Sequence, residues 1–235
     1  MRVLVTGATG DIGAAIVDVL APKSELIYAH YHQNEQRKEL LGDRHSHIKW
    51  IQADLTTLAG ADTLVAALPE CPDIIIHGAG FAEPALLQDV TDEKLVAFMN
   101  VHLLNPIRIT RTLLPTMIER KAGNVVAISS IWGSMGASME VPYASAKSGL
   151  NGFVRSLARE VAPSGIRVNG VAPGAIATKM LTTYSEDEKA MLAAEIPAGR
   201  LGCAKEVADA VSFLVSEQAT YIHGHILSVD GGWSC

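Results

Sequence analysis

The chain has 235 residues, 49% of them hydrophobic and 19% charged, with a formal net charge of −6 at pH 7; this balance suits one globular α/β domain with a core of ordinary size. An acidic chain without a Lys/Arg cluster offers no electrostatic footprint for nucleic acid, and three scattered cysteines (Cys71, Cys203, Cys235) have neither disulfide parity nor metal-ligand spacing. Met1 runs straight into the apolar Val3-Leu4-Val5 with no signal-peptide pattern, and no apolar run approaches the roughly 18 residues of a membrane span, so a cytoplasmic protein bound to no membrane is expected.

Short β-branched runs alternate with helical patterns along the whole length. Strands are expected over 2–6, 25–31, 47–52, 73–77, 123–129, 166–171 and 225–229, and helices near 12–21, 59–68, 91–121, 142–162 and 204–216. The unbroken hydrophobicity of Ile74-Ile75-Ile76 and Val125-Val126-Ala127-Ile128 suits strands buried on both faces. The expected fold is therefore a single-domain, doubly wound, Rossmann-type parallel sheet of about seven strands with helices on both faces. Residues 175–202 break the rhythm, with two helical patterns after Pro173-Gly174 and no strand between them. Placed after a strand, such an insertion lies over the carboxyl edge of the sheet, which makes it a candidate substrate lid.

The first strand ends in Thr6-Gly7-Ala8-Thr9-Gly10-Asp11-Ile12-Gly13, followed by a helix. Glycines in such a turn allow close approach of a pyrophosphate to the free N–H groups of the helix N-terminus. The competing reading is a tight βα turn with Asp11 as helix cap. At the end of the second strand, Ala29-His30-Tyr31-His32-Gln33-Asn34 contains no carboxylate to hold a ribose 2′-hydroxyl. His30 and its polar neighbours, with Arg37 and Lys38 further on, suit a 2′-phosphate, which points to NADP with NAD as the alternative. Asp54, before Leu55 and after the third strand, is placed either to meet an adenine amino group or to cap the next turn.

Tyr143-Ala144-Ser145-Ala146-Lys147 places a phenol and an ammonium one helical turn apart. A tyrosine titrating near ~10 is a poor base at neutral pH; a neighbouring Lys⁺ favours its phenolate and makes proton exchange feasible. Ser130, thirteen residues before Tyr143 and at the end of a strand, comes within reach of an oxygen shared with it.

With these motifs the sequence resembles the short-chain dehydrogenase/reductase family over its whole length, and most of all the beta-ketoacyl-acyl-carrier-protein reductases. Further matching segments are Gly165-Ile166-Arg167-Val168-Asn169, Pro173-Gly174-Ala175-Ile176-Ala177-Thr178, Arg200-Leu201-Gly202, Glu206-Val207-Ala208 and Ser228-Val229-Asp230-Gly231-Gly232. The resemblance implies hydride transfer from a nicotinamide to a ketone carbonyl, with a 3-oxoacyl thioester among the candidate substrates. Tyr143 would protonate the oxygen, Ser130 polarise it and Lys147 bind the nicotinamide ribose. Gly7, Thr9, Gly10, Asp11, Ile12 and Gly13 would cradle the dinucleotide, assisted by His30, Asp54, Leu55, Gly78, Ala79 and Gly80. Pro173, Gly174, Ile176 and Thr178 would meet the nicotinamide. A homotetramer is also implied.

Three positions depart from the family pattern: Asp11 stands where a glycine is usual, His77-Gly78 where two asparagines are, and His102 where the proton-relay asparagine is. Asn100 takes that last place only if the helix register slips. His102 therefore reads either as a relay member or as a core histidine. Trp132, Met135, Met139 and Glu140 are expected to line the substrate pocket, although Glu140 and Arg200 read equally as surface charges. The alternatives to a reductase are an alcohol dehydrogenase running in the oxidative direction and a non-catalytic NAD(P)-binding regulatory protein.

Overall fold

The computed structural model describes residues 1–179 and 184–235. Strands β1 (Arg2–Thr6), β2 (Leu26–Tyr31), β3 (Ile48–Gln52), β4 (Ile74–His77), β5 (Gly123–Ile128), β6 (Ile166–Pro173) and β7 (Ile226–Val229) form one sheet in the order β3-β2-β1-β4-β5-β6-β7. Every neighbouring pair is parallel. Alternate residues of a strand enter different cores. Val3, Val5, Ile74 and Ile76 pack on one face, and Leu4 and Ile75 on the other. Full burial of each such side chain stabilises the fold by roughly 1.5–3 kcal/mol, which is why these strands read as unbroken apolar runs.

The helices are α1 (Asp11–Leu20), α2 (Glu35–Arg44), α3 (Leu58–Ala66), α4 (Asp92–Met99), α5 (Asn105–Arg120), α6 (Trp132–Met135), α7 (Val141–Val161), α8 (Glu186–Glu195) and α9 (Ala204–Val215). The first core takes Ile16, Val17 and Leu20 of α1 with Val207, Val211 and Leu214 of α9. The second takes Ile109, Leu113 and Met117 of α5 with Leu150, Val154 and Leu157 of α7. From β1 the chain winds outward to β3, then returns to pair β4 on the other side of β1. That reversal opens a crevice at the carboxyl ends of β1 and β4, where ligands of doubly wound sheets bind. No helix among the described residues is long and apolar enough to cross a membrane.

The structure differs from the sequence reading at several places, the short helix α6 among them. Helix α2 has no counterpart in it, because its one buried residue, Leu41, gives no apolar periodicity; the Asn34 side chain, accepting from the Arg37 N–H, starts it instead. The helix expected over 91–121 is interrupted by a π-helical turn, Asn100–Leu104, in which the Asn105 N–H reaches the Asn100 carbonyl. Pro106 reinforces the break, since it has no N–H to give to the His102 carbonyl four residues back. Within 175–202, the described residues contain one helix, α8, and the Ile176–Gly202 bridge. Residues 180–183 of that segment lie outside the described residues.

Candidate active site

The end of β5 and the start of α7 lie side by side along the wall of a cavity of about 600 Å³. The Ser129 hydroxyl donates to Asn151 Oδ1 at 2.6 Å and ties the strand end to α7, leaving its neighbour Ser130 to line the cavity. Pro142 opens α7 at a position where a missing N–H costs nothing, and Tyr143 and Lys147 follow on the face turned to the cleft. Ser130 Oγ accepts from the Trp132 N–H at 3.2 Å and lines the cavity together with Tyr143. Burial pushes the Tyr143 phenol up to about 12; the neighbouring Ser130 hydroxyl opposes this and the charge of Glu140 adds to it. Lys147 is 4% exposed, donates to the Ile128 carbonyl at 2.7 Å and is pushed down to about 7 by burial. Its ammonium lies 5.5 Å from the Tyr143 ring centroid. Burial is thus the largest influence on the Tyr143 phenol, ahead of the neighbouring Ser130 hydroxyl and the charge of Glu140.

His102 lies in the π-helical turn, 2% exposed, with its ring edge-on to Tyr143 at 5.0 Å. The Phe81 carbonyl, 2.9 Å from Nε2, assigns the proton to that nitrogen, and Nδ1 is buried without a partner among the described residues. Burial, then the charge of Lys147, holds the imidazole well below its usual range, so it stays neutral. His102 lines the cleft, whereas the Asn100 amide donates to the Thr56 carbonyl at 2.7 Å. The register that puts His102 at the site is therefore the one observed.

The cavity also gathers Ile12, Gly78, Ala79 and Gly80 from the sheet crevice, and Pro173, Gly174, Ile176 and Thr178 after β6. Gly7, Thr9, Gly10, Asp11 and Gly13 lie beyond it at the mouth of β1. Two of these glycines serve the fold: Gly7 has φ +70°, and a Cβ on Gly13 would stand 2.1 Å from the Gly7 carbonyl oxygen. A Cβ on Gly10 would meet only that same oxygen, at 3.3 Å, so its outer side is open. Helix geometry leaves the N–H groups of Asp11, Ile12 and Gly13 without acceptors inside α1. Together these form a loop that could receive a pyrophosphate.

Three expectations at this end need correction or refinement. His30 is not available to a phosphate. Its Nδ1 accepts from the Gly7 N–H at 3.0 Å, its Nε2 lies 3.1 Å from the Ala53 carbonyl, and burial pushes it down to about 4. A neutral His30 therefore braces the glycine loop against β2 and β3. Asp11 is the first residue of α1, with Gly10 as the N-cap. Burial works against its ionisation, but the Lys179 N–H at 2.6 Å and the ion pair with Arg37 prevail and keep it below the usual carboxylate range. Arg37 thus meets a carboxylate rather than standing ready for a phosphate. Asp54 accepts from the Thr56 N–H and hydroxyl at 2.9 and 2.6 Å, so it does shape the turn before α3. The Leu55 side chain is core, and its carbonyl accepts from Asn105 at 2.8 Å.

On the substrate side Trp132 and Glu140 line the cavity, while Met135 and Met139 are exposed outside it. Arg200 pairs with Glu206 at 2.6 Å on the surface. The sequence reading missed Phe81 and Trp233, whereas Tyr184 falls in the 175–202 segment it assigned to the substrate. Trp233 reaches the cavity because Asp230 accepts from the Gly232 and Ser234 N–H groups and folds the tail back, setting its ring 5.1 Å from Trp132. The Asp-Gly-Gly-Trp-Ser turn signal was available in the sequence for this residue.

A family model described as enoyl-(acyl carrier protein) reductase matches residues 7–234. The chain is 44% identical to the uncharacterized oxidoreductase YmfI of Bacillus subtilis (strain 168), covering 99% of this chain and 98% of that one. It is 36% identical to the 3-oxoacyl-[acyl-carrier-protein] reductase FabG of Salmonella typhimurium, covering 97% and 95%. Among solved structures, a 4-hydroxyisoleucine dehydrogenase mutant complexed with NADH and succinate superposes with a TM-score of 0.93 at 26% identity, covering 99% and 98%.

Proposed function

The chain belongs to the short-chain dehydrogenase/reductase family of NAD(P)-dependent oxidoreductases, and from that premise we propose that it reduces a ketone carbonyl, with Tyr143 as the proton donor. The observation that carries this reading is the placement of Ser130 and Tyr143 together in the cavity lining, with the phenol pushed up to about 12 by burial. Two hydroxyls converging on one point suit a carbonyl oxygen better than a carbon–carbon double bond, which accepts no such hydrogen bonds. Ser130 holds and polarises that oxygen, in the manner of an oxyanion hole, and Tyr143 gives it a proton. Lys147, buried behind them, binds the nicotinamide ribose and recharges Tyr143 through its own titration near neutrality. When bound, the coenzyme supplies the hydride.

The residues present fit a dinucleotide, on the open side of Gly10, the free N–H groups of α1 and the Gly78–Gly80 edge. Ile12, Pro173, Gly174, Ile176 and Thr178 would enclose its nicotinamide half, and segment 175–202 would cover the substrate. NADP is the proposed form, since no carboxylate closes residues 29–34, with NAD as the second choice. His102 takes part through its place beside Tyr143 and the backbone carbonyl that Pro106 leaves without an α-helical donor, not through its imidazole proton. Relatedness to FabG supports a 3-oxoacyl thioester as one candidate substrate; a cytoplasmic homotetramer is the proposed working form on the family resemblance alone. The test follows NADPH and NADH absorbance against a panel of ketones that includes acyl thioesters. Coenzyme-dependent reduction of at least one ketone is expected, and inertness of the whole panel would contradict the proposal.

A further inference from the structure

Glu140 immediately precedes α7, three residues before Tyr143, and lines the same cavity. Its Oε2 is buried and has no hydrogen-bond partner among the described residues. The side chain as a whole is half-buried, and its enclosed oxygen is unfavourable there until a donor reaches it. The surrounding backbone is built to keep it there. Met139, one residue earlier, has φ +63°, a conformation that side-chain-bearing residues rarely hold. The Met139 carbonyl accepts from the Ala85 N–H at 2.8 Å, which fastens the turn to the 81–84 loop lining the same cavity.

Other groups facing the cavity do not satisfy this oxygen. The Lys147 ammonium donates to the Ile128 carbonyl, and His102 donates to that of Phe81. Ser130 Oγ accepts from the Trp132 N–H at 3.2 Å and makes no hydrogen bond to Glu140 among the described residues. Burial alone pushes the Glu140 carboxyl up from its ordinary value, as expected for a carboxylate awaiting a donor.

We propose that Glu140 determines substrate specificity by accepting a hydrogen bond from a hydroxyl or ammonium group carried beside the reacting carbonyl. The substrate class is then a hydroxy- or amino-ketone, or the corresponding alcohol. This inference rests on the carbonyl-reductase reading above. A site that reserves a buried acceptor for a substrate donor discriminates sharply against the analogue that lacks it, because that analogue leaves the acceptor unpaired. A carboxylate in the same place would be repelled.

The test uses a matched pair, hydroxyacetone and butanone, which differ by a hydroxyl in place of a methyl. Saturation-transfer NMR reads their weak binding to the parent protein without turnover. The parent should favour hydroxyacetone by about tenfold or more, and Glu140→Leu should reduce that preference to about twofold or less. Glu140→Gln, whose amide oxygen still accepts, should retain part of the preference and guards against a folding defect in the leucine variant. The kcat/KM ratio for the pair should follow the same order; both ketones use Tyr143, so altered proton transfer cancels in the ratio. An equal preference in parent and Glu140→Leu would overturn the assignment. If the binding preference holds but neither ketone is reduced with either coenzyme, the reductase reading fails and the Glu140 assignment stands.

Discussion

At the nucleotide end of the cleft, under β1 and β2, the polar side chains are occupied by the protein itself. His30 bridges the Gly7 N–H and the Ala53 carbonyl, and Asp11 holds Arg37 and the Lys179 N–H. At the reaction end, beside β5 and α7, polar groups keep capacity to spare: Ser130 and Tyr143 face the cavity, and His102 Nδ1 and Glu140 Oε2 are buried without partners among the described residues. One end therefore offers a ligand mainly backbone and shape, and the other offers side-chain chemistry. Substitutions should separate the two, with changes at the first end read as stability and changes at the second read as rate.

The largest stability effect is expected at His30. Replacing it by leucine strands the Gly7 N–H and the Ala53 carbonyl, at roughly 1–3 kcal/mol for each group, a total of about 2–6 kcal/mol. Urea denaturation measures this. A phosphate ligand would behave oppositely, losing coenzyme affinity with little change in midpoint, and that result would break the contrast between the ends.

Acid should weaken the fold through the same kind of residue. His30 and His77 are pushed down to about 4 and about 3 by burial. Above about pH 6.5 both folded and unfolded chains carry them neutral. As pH falls below that value the unfolded chain takes up protons that the folded chain refuses, so stability drops. At pH 5 the loss is on the order of 2 kcal/mol for each histidine. Denaturation midpoints at pH 8 and pH 5 check it; identical midpoints would mean that neither ring is buried neutral.

How far the sequence conveyed this contrast follows from what each residue's chemistry requires. The grouping of Ser130, Tyr143 and Lys147 was legible because their spacing puts a strand end beside one helical face, and the doubly wound parallel sheet followed from unbroken apolar strands. His30 was misread because a histidine at a strand end looks the same whether it holds a phosphate or its own backbone; only its two ring contacts decide. Helix α2 escaped notice because a polar helix held by a cap carries little hydrophobic period. Glu140 read as readily as a surface charge because its burial depends on the Met139 turn and on a loop more than fifty residues earlier.

A smaller effect is expected at His102. Its imidazole stays neutral and is tied to Phe81, so His102→Asn should keep turnover within about tenfold of the parent, or ~1.4 kcal/mol of barrier. The pH profile should keep its shape. A larger fall, with loss of a titration near neutrality, would make the imidazole itself a proton carrier and sharpen the reaction end further.

The most direct test of the account is Tyr143→Phe, which keeps the ring and removes the exchangeable proton. Turnover of the best ketone in the panel should fall by about 100-fold to 10,000-fold, while coenzyme titrated by protein fluorescence still binds within a few-fold of the parent. Near-parental turnover in Tyr143→Phe would contradict the assignment of Tyr143 as the proton donor.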